Sequence, residues 1–317
     1  YRLLRKVGAD VASAVEPRPA TEHPAEAAAG PAAESPGFDR SDFVDAEALL
    51  GLAVPGGASN AWAVAGQRTA TGLPLLANDP HLPPQCPPIW YEAHLAGGGM
   101  NVAGATTPGA PGVIIGHNDQ IAWGVTVCFL DTQDLYAERR HPDGSPCYEV
   151  DGRWEPASVL REEIRVRGRR DPVVVEVHVT RHGPIITPIL LDETEPIALQ
   201  STADAPSHPL RCVLRLNRAR DWSEFDAALA DWTIGGLNFA YADRGGTIGL
   251  RVAGRVPDRA AGCGVAPSPG WDSRYDWAGL LPDSVLPRIA DPPSGRVITA
   301  NNRPGSPGDG LLSREWP

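Results

Sequence analysis

A serine stands at an abrupt change of texture. Val54-Pro55-Gly56-Gly57-Ala58 leads into Ser59-Asn60, and Ala61-Trp62-Ala63-Val64 follows as an apolar run. The string Gly57-Ala58-Ser59-Asn60-Ala61 is not G-x-S-x-G, so the strand-to-helix elbow that exposes a serine nucleophile is not encoded here. By residue type the string reads as a turn, because Gly, Ser and Asn satisfy turn backbones locally. A second reading is self-cleavage. The Ser59 hydroxyl attacks the carbonyl of Ala58, the acyl group moves from nitrogen to oxygen, and water frees Ser59 as a new N-terminus. A residue with a free α-amine then carries its own general base, since that amine has a reference pKa of about 7.7 to 8.0. Gly56 and Gly57 permit the backbone twist that self-attack requires.

Four further clusters could take part in chemistry. His81 lies in "LLANDPHLPP", where its ring could return toward the start of the preceding strand, although a lone His among prolines also reads as a loop residue. Asp131, Gln133 and Asp134, in "LDTQDLYAER", offer two carboxylates and a carbonyl, hard oxygen ligands that suit calcium; the same residues suit a solvated loop, and no EF-hand pattern is present. Asn301, in "TANNRPG", could donate its carboxamide to a developing oxyanion, or simply belong to a turn before Pro304. His178 and His182 are four apart on an expected strand, about 13 Å along its axis, too far to share one metal ion.

The elements that must hold these residues are mostly strands. From Ala61 onward, short apolar runs alternate with Gly, Pro, Asn and Asp clusters. "AWAVAG" and "LPLLAND" predict a hairpin across "QRTATG", and "GVIIG" and "IAWGVTV" predict another pair around His117-Asn118-Asp119. "PVVVEVHVT" predicts a half-buried strand with Val173, Val175, Val177 and Val179 on one face, and "TIGLRVAGRV" a further strand. A helix is expected over Asp221–Ile234, capped at Asp221 or Ser223, with Trp222, Phe225, Ala228, Leu229 and Trp232 as its apolar stripe. Another is expected after Asp42, over "FVDAEALLGLA". Glu16 to Gly37 holds no large apolar residue ahead of Phe38 and reads as a linker that cannot repay its ordering entropy. The expected class is α+β.

Bulk properties narrow the partners. With 317 residues, 42% of them hydrophobic, the chain can bury a sizeable core. Its 28 Lys and Arg against 39 Asp and Glu leave a net charge of −11, which disfavours nucleic acid and anionic membrane surfaces as partners. No apolar run reaches the length of a membrane span, and no secretion leader is expected at the N-terminus. The chain begins at Tyr1 without Met and stops at Trp316-Pro317, which reads as a piece of a longer protein. The five cysteines include no C-x-x-C pair, so lone packed thiols are expected, and one or two disulfides would also fit.

In order and spacing, "GASNAWAV", "LLANDPHL", "WYEAHLAGGGMNVAGATTPGAPGVIIGHNDQIAWGVT", "LDTQDLYAER", "HGPII", "NFAYADRGGTIG", "VPDR" and "ANNRP" resemble the penicillin acylase (penicillin amidase) family of N-terminal-nucleophile hydrolases, of the S45 peptidase type. The resemblance runs from about Gly57 to Pro304. It implies a four-layer αββα sandwich, here as a fragment. It further implies that residues 1–15 are the tail of an α chain, 16–58 a spacer removed on maturation, and 59–317 the N-terminal part of a β chain.

By the same resemblance, Ser59 is the N-terminal nucleophile released by cleavage after Ala58. Asn301 supplies one oxyanion donor by its side chain, and Val127 the other by its backbone N–H. His81 takes the position near the nucleophile that is Gln or His in the family, the His form resembling the cephalosporin and acyl-homoserine-lactone acylases. Asp131, the carbonyl of Gln133, and Asp134 match a loop that in several members holds structural calcium, with no organic cofactor. The family's further calcium ligand from the α chain and an active-site arginine fall outside this sequence. The implied function is hydrolysis of the amide bond of small N-acyl compounds of penicillin or cephalosporin type through an acyl-enzyme, with the α chain of the same precursor as partner and a periplasmic or secreted location. The alternatives are an acyl-homoserine-lactone acylase and a non-catalytic, sheet-rich binding homologue.

Overall fold

The computed structural model describes residues 58–82, 86–189, 195–262, 264, 266–304 and 312–313. The expected linker, the helix after Asp42 and the α-chain tail lie outside them. In chain order the described strands are β1 (Ala58–Val64), β2 (Leu75–His81), β3 (Tyr91–Gly97), β4 (Met100–Thr106), β5 (Ile115–Asn118), β6 (Ile121–Val127), β7 (Gln133–Ala137), β8 (Cys147–Val150), β9 (Arg153–Pro156), β10 (Ser158–Ile164), β11 (Val173–Thr180), β12 (Gly183–Pro184) and β13 (Ile197–Ser201). Two helices follow, α1 (Pro209–Leu216) and α2 (Trp222–Leu229). The chain then forms β14 (Leu237–Asp243), β15 (Ile248–Ala253), β16 (Pro257–Arg259), β17 (Ser268–Pro269), β18 (Trp277–Leu280), β19 (Arg288–Ala290) and β20 (Arg296–Thr299). The described residues of 133–204 and 257–280 make one compact unit, and those of 56–132, 205–256 and 281–317 another.

The second unit carries the candidate nucleophile. A three-stranded sheet, ordered β2-β1-β20, is antiparallel throughout, and it faces a seven-stranded sheet ordered β19-β15-β14-β6-β5-β4-β3. Residue alternation sorts the large sheet's two faces. Ile121, Trp123, Val125, Phe239 and Tyr241 meet the helices through Cys212, Leu216, Phe225 and Leu229, whereas Ala242, Ile248 and Leu250 pack on Ala63 and Val297 of the small sheet. These are the α, β and β layers of the expected sandwich.

Local chemistry explains most elements and two differences from expectation. The Asp221 side chain accepts a hydrogen bond from Glu224 N at 2.9 Å, capping α2 as its sequence predicts. The helix stops at Leu229 rather than Ile234, and Trp232 continues the apolar surface from outside it, edge-on to Phe239. Helix α1 arises from "HPLRCVLRL", outside the expected helices, where Pro209 at its first turn and the spacing of buried Cys212, Val213 and Leu216 are helical signals. The Cys212 thiol is pushed up to about 12 by burial, so this cysteine is a packing residue. Cys86, Cys147 and Cys212 are free thiols.

In the first unit β7 lies between β13, antiparallel to it, and β17, parallel. The predicted strand at Pro172–Thr180 is present as β11 and is half-buried at Val173, Val177 and Val179, while Val175 is 38% exposed and Leu160 and Ile164 of the paired β10 are each 51% exposed. His182 is buried. Its Nδ1 lies 2.9 Å from Glu138 Oε1 and its Nε2 2.9 Å from Asp276 Oδ1, while its ring stacks on Tyr136 at 3.7 Å. It is thus a structural residue, held between two carboxylates.

Partial burial raises the Asp276 carboxyl, but hydrogen bonds from Arg181 and His182 outweigh that and hold it below the usual carboxylate range. A lowered folded value means stability present above the ordinary pKa of about 3.9 and lost as acid titrates the group below it. Asp276→Asn is therefore expected to lower the melting temperature at neutral pH and to flatten the loss of stability below about pH 4. Thermal denaturation across pH checks this, and a variant that keeps the wild-type acid limb would contradict it.

Candidate active site

Ser59 is the second residue of β1, directly opposite Pro80 and on the buried face, at 8% exposure. Its backbone N–H donates to Asn301 Oδ1 at 2.6 Å across 242 residues of sequence. The Asn301 side chain in turn donates through Nδ2 to Val127 O at 2.8 Å. A carboxamide nitrogen carries two hydrogens, so one remains for a ligand. Asn301 sits just past the end of β20, at φ 63°, a left-handed conformation that Asn tolerates better than most residues. Strand β20 is carried there by its pairing with β1, Ala61 opposite Thr299. Ser59, Asn301 and Val127, singled out from sequence, are therefore brought together.

The edge of β6 explains why Val127 is available. Strand β5 pairs only as far as Trp123, so beyond that residue the β5-side edge of β6 is open. Cys128 N donates to Gly236 O on the β14 side, and by alternation the N–H and C=O of Val127 point the other way, to the open edge. Asn301 takes the carbonyl there. One step earlier, Asn78 of β2 occupies the same edge: its Oδ1 accepts Val125 N–H at 2.9 Å, and its Nδ2 donates to Val125 O at 2.8 Å and to Asn60 O at 2.9 Å. A buried polar bridge joins the layers beside it. The Thr126 and Thr299 hydroxyls are 2.9 Å apart, and Asn238 Nδ2 donates to Thr126 Oγ1 at 3.1 Å.

Sequence reading missed Asn78, Thr126, Asn238 and Thr299. A signal for Asn78 existed: in the β1–β2 register it stands opposite buried Ala61, an inward position where a strand places apolar residues.

His81 is not brought to the nucleophile's hydroxyl. It pairs across the hairpin with Ala58, one residue out of step with Ser59, so its side chain belongs to the other face of the small sheet. There its Nε2 lies 3.0 Å from Asp79 Oδ2 and 3.5 Å from Asn60 Nδ2, and the side chain is 49% exposed. Of the calcium candidates, Asp134 is buried, with Oδ2 accepting from Arg259 Nε at 2.7 Å and Trp277 Nε1 at 2.5 Å, and Oδ1 from Arg259 Nη2 at 3.1 Å. A guanidinium already balances its charge. The Gln133 side chain donates to Ser201 Oγ at 3.3 Å. Among the described residues no three His, Cys, Asp or Glu stand where they could hold a metal ion.

Comparison with known proteins gives consistent results. The family model described as penicillin amidase matches residues 2–317. The chain is 37% identical over 286 residues to an acyl-homoserine lactone acylase of Pseudomonas aeruginosa, covering 86% of this chain and 33% of that protein. It is 38% identical over 250 residues to the penicillin acylase 2 proenzyme of a Pseudomonas species, covering 78% and 32%. Among solved structures, the thermostable penicillin G acylase of Alcaligenes faecalis superposes with a TM-score of 0.71 at 28% identity, over 81% of this chain and 46% of that one. The chain thus spans about a third of the length of the curated relatives it matches.

The hydroxyl bridge gives a direct test. Thr126→Val removes one partner and leaves the buried Thr299 hydroxyl and Asn238 amide short of a hydrogen bond, at an expected cost of about 1 to 3 kcal/mol. The double variant with Thr299→Val should lose less than the sum of the single losses. Additive losses in thermal or urea unfolding would mean that the two hydroxyls do not act together.

Proposed function

Because this chain belongs to the penicillin amidase family, we propose that the full-length protein is an autoprocessed amidohydrolase cleaving N-acyl amides with Ser59 as nucleophile. The observation that carries this reading is the hydrogen bond from Ser59 N to Asn301 Oδ1. It holds the atom that would become the α-amine against a carboxamide with a hydrogen to spare, beside the outward-facing amide of Val127.

The chain is continuous through Ala58–Ser59, so Ser59 N is a peptide nitrogen, unable to act as a base. Attack of Ser59 Oγ on the Ala58 carbonyl, transfer of the acyl group from nitrogen to oxygen and hydrolysis would convert it to an amine. That amine, placed by Asn301, then takes the hydroxyl proton as Oγ attacks a substrate carbonyl and returns it to the leaving nitrogen. Asn301 Nδ2 and Val127 N–H receive the oxyanion, and water releases the acid from the acyl-enzyme. The spacer before Ser59 would be removed and the α chain would stay bound, giving a two-chain enzyme. A second reading of the substrate, an acyl-homoserine lactone, is supported by the 37% identity to a protein of that named activity.

Expression of the full-length protein and mass spectrometry test the proposal. Two chains are expected, one beginning Ser-Asn-Ala-Trp. Ser59→Ala should leave one uncut chain without amidase activity, and activity in that variant would sink the mechanism. An uncut, inactive wild type would favour the binding homologue. In the processed enzyme Asn301→Ala should lower kcat about 100- to 1000-fold. The rate should also fall as pH drops below about 7.7, where the amine becomes protonated. Hydrolysis of penicillin G, a glutaryl cephalosporin and acyl-homoserine lactones of graded length then separates the substrate classes.

A further inference from the structure

Asn78 takes no part in the chemistry proposed above, yet its carboxamide bonds three backbone groups on two strands of different sheets. One strand is β1, at Asn60, the residue after the nucleophile. The other is β6, at Val125, two residues before the oxyanion donor Val127. No backbone ladder joins β1 to β6. Apolar packing between two sheets resists separation but is non-directional, so it sets the sliding of one over the other poorly. Hydrogen bonds of defined direction set it well.

We propose that Asn78 is the positioning residue that fixes the nucleophile strand in register with the oxyanion strand, an inference that rests on the amidase reading of Ser59 and Val127. Oδ1 and Nδ2 of Asn78 mimic a neighbouring strand toward Val125, and the second Nδ2 hydrogen fastens Asn60 to the same group. An Asp in this place would set carboxylate oxygen against the carbonyls of Val125 and Asn60. A Gln would carry its amide a carbon further from both. Gly124 completes the seat, since a Cβ there would lie 2.5 Å from Asn78 Cβ and 2.8 Å from its Cγ. Gly124 is thus a glycine for reasons of space.

Two variants of the full-length protein test this by different routes. Asn78→Asp keeps the shape and removes the donors, and Gly124→Ala keeps Asn78 and displaces it. In both, kcat per active site, counted by acyl-enzyme titration, should fall about 100-fold, the effect of a misplacement of about 1 Å. KM should stay within about threefold, because the loss falls on the transition state. A folded Asn78→Asp precursor that remains uncut would also support the role, since it too reports a displaced Ser59. A purely structural role would lower the melting temperature and the yield of active sites while leaving kcat per site at the wild-type value. That result in either variant overturns the inference. Wild-type protein that is neither cut before Ser59 nor active on any N-acyl amide would instead overturn the amidase reading, which separates the two failures.

Discussion

The second unit is governed by one constraint: the backbone groups of β6 that β5 leaves unpaired must find partners other than a neighbouring strand. Buried amides without partners cost about 1 to 3 kcal/mol each, so an open edge inside a protein is either filled or put to use. Here it is filled at Val125 by the Asn78 carboxamide and at the Val127 carbonyl by Asn301. The Val127 N–H, next on that edge, lies beside the nucleophile. The donor proposed for the oxyanion is thus a consequence of where β5 stops.

The same device recurs nearby. Asn217, at the end of α1, accepts Val113 N–H and donates to Val113 O, both at 2.7 Å. Asn118 accepts from Gln120 and Ile121 and donates to the carbonyls of Asn217 and Ala219. Asparagine carries one acceptor and two donors on a short stem, so it can stand in for a backbone amide where no strand reaches. Three such residues close the ladder at positions where the large sheet turns, ends or meets another layer. The polar interior of this unit thus joins its layers by hydrogen bonds of defined direction, which apolar burial alone does not supply.

Under the proposed mechanism one serine would serve two reactions. The Ser59 amide is ordered by Asn301, and if the chain is cut before Ser59 the same acceptor would orient the new amine. No large rearrangement is needed, because the strand that presents Ser59 is held on both sides, by β2 and by β20. In the first unit the polar interior follows a different logic, with charge against charge: His182 between Glu138 and Asp276, and Asp134 against Arg259.

The strand-rich class, the first hairpin and a helix capped near Asp221 were legible in the residue order, because periodicity and turn chemistry are local properties, and the residue order also singled out Ser59 and Asn301 as candidates. Its motifs in order were enough to place the chain in its family. Sequence did not reveal α1, whose short apolar stripe is interrupted by arginines. It suggested His81 near the nucleophile, but strand register put that ring on the opposite face, since a shift of one residue reverses every side chain. That Asn78, Thr126, Asn238 and Thr299 gather around the candidate site follows from the packing of the elements and not from residue order. Their contacts span from 18 to 173 residues of chain, and those of Asn78 with Val125 and of Thr126 with Thr299 are made by the packing of two sheets, which no local pattern records.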